Sequence, residues 1–430
     1  MCEAGAYPHA GGMLTSRTTL RRRRPYPGGR PFRVLIAALA VSSLGDWLYN
    51  VALLAFVYDR THSASWVALT TAARVAPLVV LGPLGGVLAD RHNRRMLMIA
   101  SDAVRAAIMV LLAGVALTGL PVALAPLLAA AATAATTVNL PCVVASTARM
   151  VPGDQLASAN ALRATVSQGA IVVGPALGAL VLVAASPALA ILLNGLTFVI
   201  SAMAMLSLGS GAVFAAPGTR DDGPGRPSVL ADILAGARAL RGAPAAIRLI
   251  AADTLCSAVY GMVTVTFVLV SRRFGAGNGA YGLLLAAYGV GGVIGATLIG
   301  RLVEPSRWRT TLTIALLLVA TSLVAIGTAL SLVQALVAAL LGGGGLIAGE
   351  VLSDTALPLL LDDAVVGRAF GLALPVSIGG IVVGSLVAGP LVSVAGITGA
   401  FAVAAAAVTV VCALVVRRPL VAPVALVPAP

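Results

Sequence analysis

The chain reads as an all-α membrane protein: twelve transmembrane helices in two pseudo-symmetric halves of six, with both termini cytoplasmic. Three observations carry that reading. The first is composition. Of 430 residues, 59% are hydrophobic and 10% charged, and the mean hydropathy is +1.02, whereas soluble domains carry about 25% charged residues. The second is a succession of twelve apolar runs, most of them near or above the ~20 residues that a helix needs to cross a bilayer core. The third is an internal repeat. GAIVVG at Gly169–Gly174 returns as GGIVVG at Gly379–Gly384, 210 residues later. At the same offset Gly85, Leu88 and Arg91 fall on Gly295, Leu298 and Arg301, and at an offset of 214 LIAA at Leu35–Ala38 returns at Leu249–Ala252.

Taken in order, residues 1–31 form a basic tail rich in Gly, Pro and Arg, with a run of four arginines at Arg21–Arg24. No short apolar region with a small-residue cleavage site follows it, so the tail reads as a disordered cytoplasmic segment before an uncleaved first span. The spans of the first half (32–208) lie near 32–58, 65–88, 96–117, 122–144, 155–183 and 188–208. A polar linker, 209–245, contains GTRDDGPGRPS and an amphipathic stretch over 229–240. The second half (246–416) has spans near 246–270, 280–302, 310–330, 332–357, 370–394 and 398–416, and 417–430 is a Pro/Ala-rich disordered tail.

All 28 basic residues are arginine and the net charge is +13, a pattern of GC-rich coding that points to a bacterial source. Outside the N-terminal tail and the linker, eleven arginines fall on one side of the spans: Arg91, Arg94, Arg95, Arg149, Arg163, Arg301, Arg307, Arg309, Arg368, Arg417 and Arg418. Only Arg60, Arg272 and Arg273 fall on the other. The positive-inside tendency makes the first side cytoplasmic. Topology and anionic lipid headgroups account for the charge, so the bilayer is its partner and nucleic acid is not. Cys2, Cys142, Cys256 and Cys412 have no paired spacing for a metal site or a disulfide framework. His9, His62 and His92 all fall in the tail or in loops, so any proton carried at membrane depth must ride on a carboxylate. No P-loop is present and no cofactor or metal is expected.

The stretch Gly82–Arg95, GPLGGVLADRHNRR, is a short basic hairpin loop between the second and third spans. Its glycines let a neighbouring helix approach, its Asp90 suits a helix N-terminus, and Asn93 fits a left-handed turn position. With Gly86, Leu88, Asp90, Arg91, Arg94 and Arg95 in place, the loop resembles the signature of major facilitator superfamily transporters, with Asn93 where glycine is usual. The fifth span carries Gly174-Pro175-x-x-Gly178 and is similar to the exporter motif of that superfamily. Physically, Gly174-Pro175 permits a kink and Gly178 allows tight packing, expected across the half-to-half interface. GDWL in the first span, with Arg74 and Pro77 in the second, looks closest to the macrolide-efflux and enterobactin-exporter groups.

The resemblance implies a monomeric transporter of the bacterial cytoplasmic membrane working by alternating access, with export favoured over import. It also implies a cytoplasmic latch joining Asp90, Arg94 and Arg95 to the second half near Asp362, Asp363 and the start of the eleventh span.

Charged residues inside spans are functional candidates by default. Asp46 and Arg74 come out at roughly 18 and 14 Å from the outer ends of antiparallel neighbours, at 1.5 Å per residue. They are expected to pair at the cavity wall, with Asp46 protonatable. Asp102 and Arg105, three apart, can pair within their helix. Asp253 and Glu350, with Asp354 a turn away from the latter, are further coupling candidates. Trp47, Asn50, Asn139, Asn194, Tyr260 and Tyr288 are the polar or aromatic candidates for substrate contact. The expected function is secondary active efflux of a hydrophobic or amphipathic small molecule, antibiotic-like or siderophore-like, by proton antiport. An uptake permease and a non-transporting receptor are the alternatives. A membrane enzyme is disfavoured, because no histidine or metal constellation lies at membrane depth.

Overall fold

A computed structural model describes residues 29–417 apart from 210, 216–237, 239, 276, 300–304 and 362. Most of the basic tail, most of the linker with its amphipathic stretch, Arg301, Asp362 and the end of the chain therefore lie outside the described residues. All regular structure described is helical. The first half comprises α1 (Arg30–Thr61), α2 (Ala64–Arg91), α3 (Arg94–Leu117), α4 (Leu124–Thr136), α5 (Asn139–Met150), α6 (Leu156–Ala184) and α7 (Pro187–Leu206). The second comprises α8 (Pro244–Arg273), α9 (Gly277–Ile299), α10 (Trp308–Gly327), α11 (Leu332–Leu359) and α12 (Asp363–Val416).

Eleven helical stretches among the described residues are long and apolar enough to cross a membrane. One of them, Gly371–Val415, has 45 residues, more than twice the ~20 that a crossing needs. It turns at Gly396, whose φ of 69° is open to glycine at little cost. Its two arms are the eleventh and twelfth runs of the sequence.

The fourth run is not one helix. α4 and α5 meet at Thr137 and Val138, because Pro141 has no N–H to offer the Thr137 carbonyl four residues back. α2 fills the gap: a Cβ on Gly85 would collide with that carbonyl, so only glycine admits the contact. Asn93 also departs from expectation. Its backbone is extended (φ −62°, ψ 114°), and its side chain accepts a hydrogen bond from the Met96 amide at 3.2 Å. It acts as the N-cap of α3, a role in which Asn is strongly preferred, and not as a left-handed turn residue.

Within each half, small residues set the packing. Gly174 lies against Leu44 and Trp47 of α1, and Gly178 against Leu48 and Val51. In the second half Gly380 and Gly384 of α12 lie against Thr254 and Ala258 of α8 in the same way. The repeated sequence is thus a repeated helix contact. The fifth-span motif therefore packs inside its own half, and the expected cross-half role of Gly178 is corrected: the residue faces α1. Half-to-half contact on that helix falls to Pro175 and Ala179, which receive Gly282 of α9.

The halves meet along two related seams, α6 with α9 and α2 with α12. The α2–α12 seam is tight at the end where Gly389 lies against Ser65. Towards the end that carries the 82–95 loop, Gly82 and Gly86 of α2 and Gly371 and Gly379 of α12 face open space. The two halves therefore splay apart at the loop end and close at the far end.

Candidate functional site

The splay leaves a cavity of about 440 Å³ between the halves, within the ~300–1,000 Å³ usual for small-molecule sites. Trp47 of α1, Thr71, Arg74 and Val75 of α2, and Gln168, Ile171 and Pro175 of α6 form the first-half wall. Asp253, Ser257 and Tyr260 of α8, Tyr288 of α9, Glu350, Ser353 and Asp354 of α11, and Ser377 and Ile381 of α12 form the other. The pseudo-symmetric scaffold explains this arrangement: α8 and α11 turn one helix face each to the gap, and residues one or two turns apart on that face reach it together.

The cavity has two zones. Asp253, Glu350 and Asp354 lie nearer the open loop end, and Asp253 accepts a hydrogen bond from the Ser377 hydroxyl. Deeper, by about 10 Å for the seven residues from Asp253 to Tyr260, the wall turns aromatic. Tyr260 and Tyr288 have ring centroids 6.2 Å apart, and Phe267 meets Tyr288 edge-on at 6.0 Å. The Tyr288 and Ser353 hydroxyls have no hydrogen-bond partner among the described residues, although these residues are only 5% and 6% exposed. Arg74, half-buried on the opposite wall, makes no ion pair among the described residues, and its Nε is unpartnered.

Asp46 does not pair with Arg74. Arg105 of α3 takes it instead: Nη2 donates to both Asp46 oxygens at 2.7 and 2.6 Å, while Nη1 reaches Asp102 at 3.3 Å. The guanidinium sits 3.7 Å over the Phe198 ring, a favourable cation–π placement. Arg105 and Asp102 are each 3% exposed, and the Asp46 side chain 40%. The expected intrahelical Asp102–Arg105 contact is present, and Asp46 joins it. Depth along a helix fixes a residue's height but not its azimuth, and azimuth turns Arg74 to the gap between the halves.

Trp47, Tyr260 and Tyr288 line the cavity as expected, and Asn50, Asn139 and Asn194 do not. Asn50 is fully buried inside the first half with its amide unpartnered. Asn194 packs beneath Gly45, with Thr197 donating to its amide oxygen at 3.1 Å. Asn139 borders a separate void of about 40 Å³ beside Asp102, Ser42 and Ser201. Sequence reading missed Gln168, Ser257, Ser353 and Ser377, since small polar residues in apolar helices carry no facing signal.

Among the described residues the loop signature makes contacts only within its own half; the expected latch partners, Asp362 and the Asp363 side chain, lie outside what is described. Asp90 is 73% exposed on its side chain and 3.7 Å from Arg94, whose Nε donates to the Ala89 carbonyl at 3.1 Å. Arg95 donates to the Met205 and Leu206 carbonyls at 2.8 and 2.9 Å, satisfying free acceptors at the end of α7. Arg91 is exposed in the last turn of α2, where a cation complements the helix dipole. A latch between halves exists at the far end. Asp59 of α1 accepts from Arg272 of α8 and, at 2.8 Å, from Asn278 of α9.

The profile of a family described as transmembrane secretion effector matches residues 28–426. An uncharacterized MFS-type transporter of Bacillus subtilis, YfiS, is 38% identical over 73 residues, covering 17% of this chain and 18% of the relative. Macrolide efflux protein A of Streptococcus pyogenes is 29% identical over 150 residues, covering 35% and 37% respectively. The matched stretches are thus well under half of those relatives' lengths. Among solved structures, a POT family transporter in complex with 5-aminolevulinic acid superposes with a TM-score of 0.70 at 12% identity, over 92% of this chain and 96% of that one. The nucleoside transporter NupG gives 0.68 at 13% identity, over 89% and 98%. At such identities the likeness concerns the fold.

Proposed function

Because the chain belongs to the transmembrane secretion effector family of major facilitator superfamily transporters, and so is a multi-pass membrane transporter and not an enzyme, we propose that it exports a hydrophobic or amphipathic small molecule across a bacterial cytoplasmic membrane. It works by alternating access, in exchange for protons, with both termini in the cytoplasm. The observation that carries this reading is the cavity between the halves. It is closed at the far end by Asp59, Arg272 and Asn278 and open at the end with the arginine-rich loop. With that loop cytoplasmic, the structure is the inward-open state, ready to collect cargo from inside.

Carboxylates supply the exchange chemistry. Asp253 and Glu350 stand on the cavity face, where cargo and protons compete for the same groups. When the far end opens, a proton from outside moves to a carboxylate and lowers its hold on cargo. When the loop end opens, the proton leaves to the cytoplasm. Asp46 is a second candidate, because its proton would weaken the bond from Arg105 and so couple α1 to α3. The similarity to macrolide efflux protein A supports the export direction.

The test uses inside-out vesicles with an acidic lumen and a panel of amphipathic drugs. Wild-type protein should accumulate cargo only with the gradient, Asp253→Asn/Glu350→Gln should lose that dependence, and Asp46→Asn should report whether α1 takes part. Movement in the opposite direction would overturn export in favour of import.

A further inference from the structure

We infer that the cavity is built for a lipophilic cation, held with its apolar body against Trp47, Tyr260 and Tyr288 and its positive charge among Asp253, Glu350 and Asp354. This rests on the reading of the cavity as the cargo site and names the chemical class of that cargo.

The charge balance is the first argument. Three carboxyls and one guanidinium line the cavity, and none of them is ion-paired with another described residue. Asp253 takes a hydrogen bond from a neutral serine, not from a cation. The nearest arginine along α8, Arg248, turns its Nε to the Pro244 carbonyl at 3.3 Å and is absent from the cavity wall. Ionisable groups at membrane depth are costly and are kept where they have a use. Three acids at one mouth with no cation beside them among the described residues have that use if the cation arrives with the ligand.

The second argument is independent of charge. Two hydroxyls on the wall, those of Tyr288 and Ser353, are more than nine-tenths buried and lack a hydrogen-bond partner among the described residues. A buried donor left unmade is unfavourable; Tyr288 of α9 stands in the deep aromatic zone, and Ser353 lies between Glu350 and Asp354 on α11. The two hydroxyls are recognition groups for a polar atom on the ligand. Arg74 opposes a cation on the far wall, so the zones also orient the ligand: charge towards the mouth, body inward, hydrogen-bond acceptor towards Arg74. An anionic cargo of siderophore type would face the three acids directly.

The experiment compares two probes of one shape and opposite charge, tetraphenylphosphonium and tetraphenylborate, by equilibrium binding to the purified full-length protein in detergent. The expected result is at least tenfold tighter binding of the phosphonium, a preference erased in Asp253→Asn/Glu350→Gln/Asp354→Asn. Arg74→Gln, which removes the opposing charge, should tighten phosphonium binding several-fold. That second variant keeps the test informative if the triple variant does not fold. Equal or tighter binding of the borate, binding of neither probe, or weaker phosphonium binding in Arg74→Gln would overturn the inference. The vesicle assay separates this from the export reading. Absent flux with an intact cation preference removes the exporter and leaves the cation site, whereas flux without any charge preference removes only the cation site.

Discussion

In the first half, Arg105 is shared between Asp46 and Asp102 within the helix packing, roofed by Phe198. In the second half, Asp253, Glu350 and Asp354 stand on the cavity face without a paired cation among the described residues. The backbone scaffolds of the two are alike: Gly174 of α6 packs closely on α1 as Gly384 of α12 does on α8. The third span shows the divergence plainly. α3 carries Asp102 and Arg105, whereas α10 has no charged residue after Arg309. Glycine contacts hold the repeat together and are indifferent to charge, so the repeated halves were free to take different roles. The first half ties its acids to Arg105 and turns only Arg74 to the cavity, whereas the second presents three acids to it.

The sharpest way to break this contrast is Arg105→Ala. Removing one member of a buried ion group leaves its partners uncompensated and should lower stability by about 3–5 kcal/mol, read as thermal unfolding in detergent. Adding Asp46→Asn and Asp102→Asn should restore most of the loss. An Arg105→Ala protein as stable as wild type would mean that the first half's charges are not structural.

Next in size are Gly174→Ala and Gly384→Ala. Each added methyl meets a tightly packed neighbour and should cost about 1–3 kcal/mol by overpacking. Similar losses in both would sharpen the case for one shared scaffold, while a loss confined to one position would dissolve it. Asp59→Asn should have a smaller effect. The Asp59–Arg272 pair is partly exposed (40% and 33% on the side chains), and such pairs contribute about 0–1 kcal/mol. The closed far end should therefore lose at most about fivefold in population, measurable as a distance distribution between spin labels on the far ends of α1 and α8. Smallest of all is the stability change on converting Asp253, Glu350 and Asp354 to amides: within about 0.5 kcal/mol, as for substitutions away from packed features. A large melting shift in that protein would place the acids with the structural charges of the first half.

The spans were legible because unbroken apolar runs and arginine-bearing loops leave little choice. The break after α4 was not, because the run stays apolar through Pro141 and hydropathy does not register a missing N–H. Asn93 was legible as a loop residue but not as a cap, since the hexad after it does not reveal where the first helical amide lies. The cavity was legible in part. Trp47, Tyr260, Tyr288, Asp253 and Glu350 stood out as costly residues in apolar helices, and all five line it. The Asp46–Arg105 bond and the outward placement of Asn50, Asn139 and Asn194 from the cavity were not legible, because they depend on helix rotation. Only packing sets that rotation, here through contacts such as Gly45 on Asn194.

The seam between α6 and α9 is built of glycine, alanine and proline: Gly282 rests on Pro175 and Ala179, and Gly289 on Ile171 and Val172. Backbone lies on backbone there, with few long side chains locked into opposing grooves. Such a surface behaves as a bearing. One half can roll over the other with no knob to withdraw from a hole, so the seam resists rotation little and stores little of its energy. The switching equilibrium is then set at the rims, by the Asp59 contact at one end and by what occupies the cavity at the other. A single polar contact and a single bound molecule are enough to tip it.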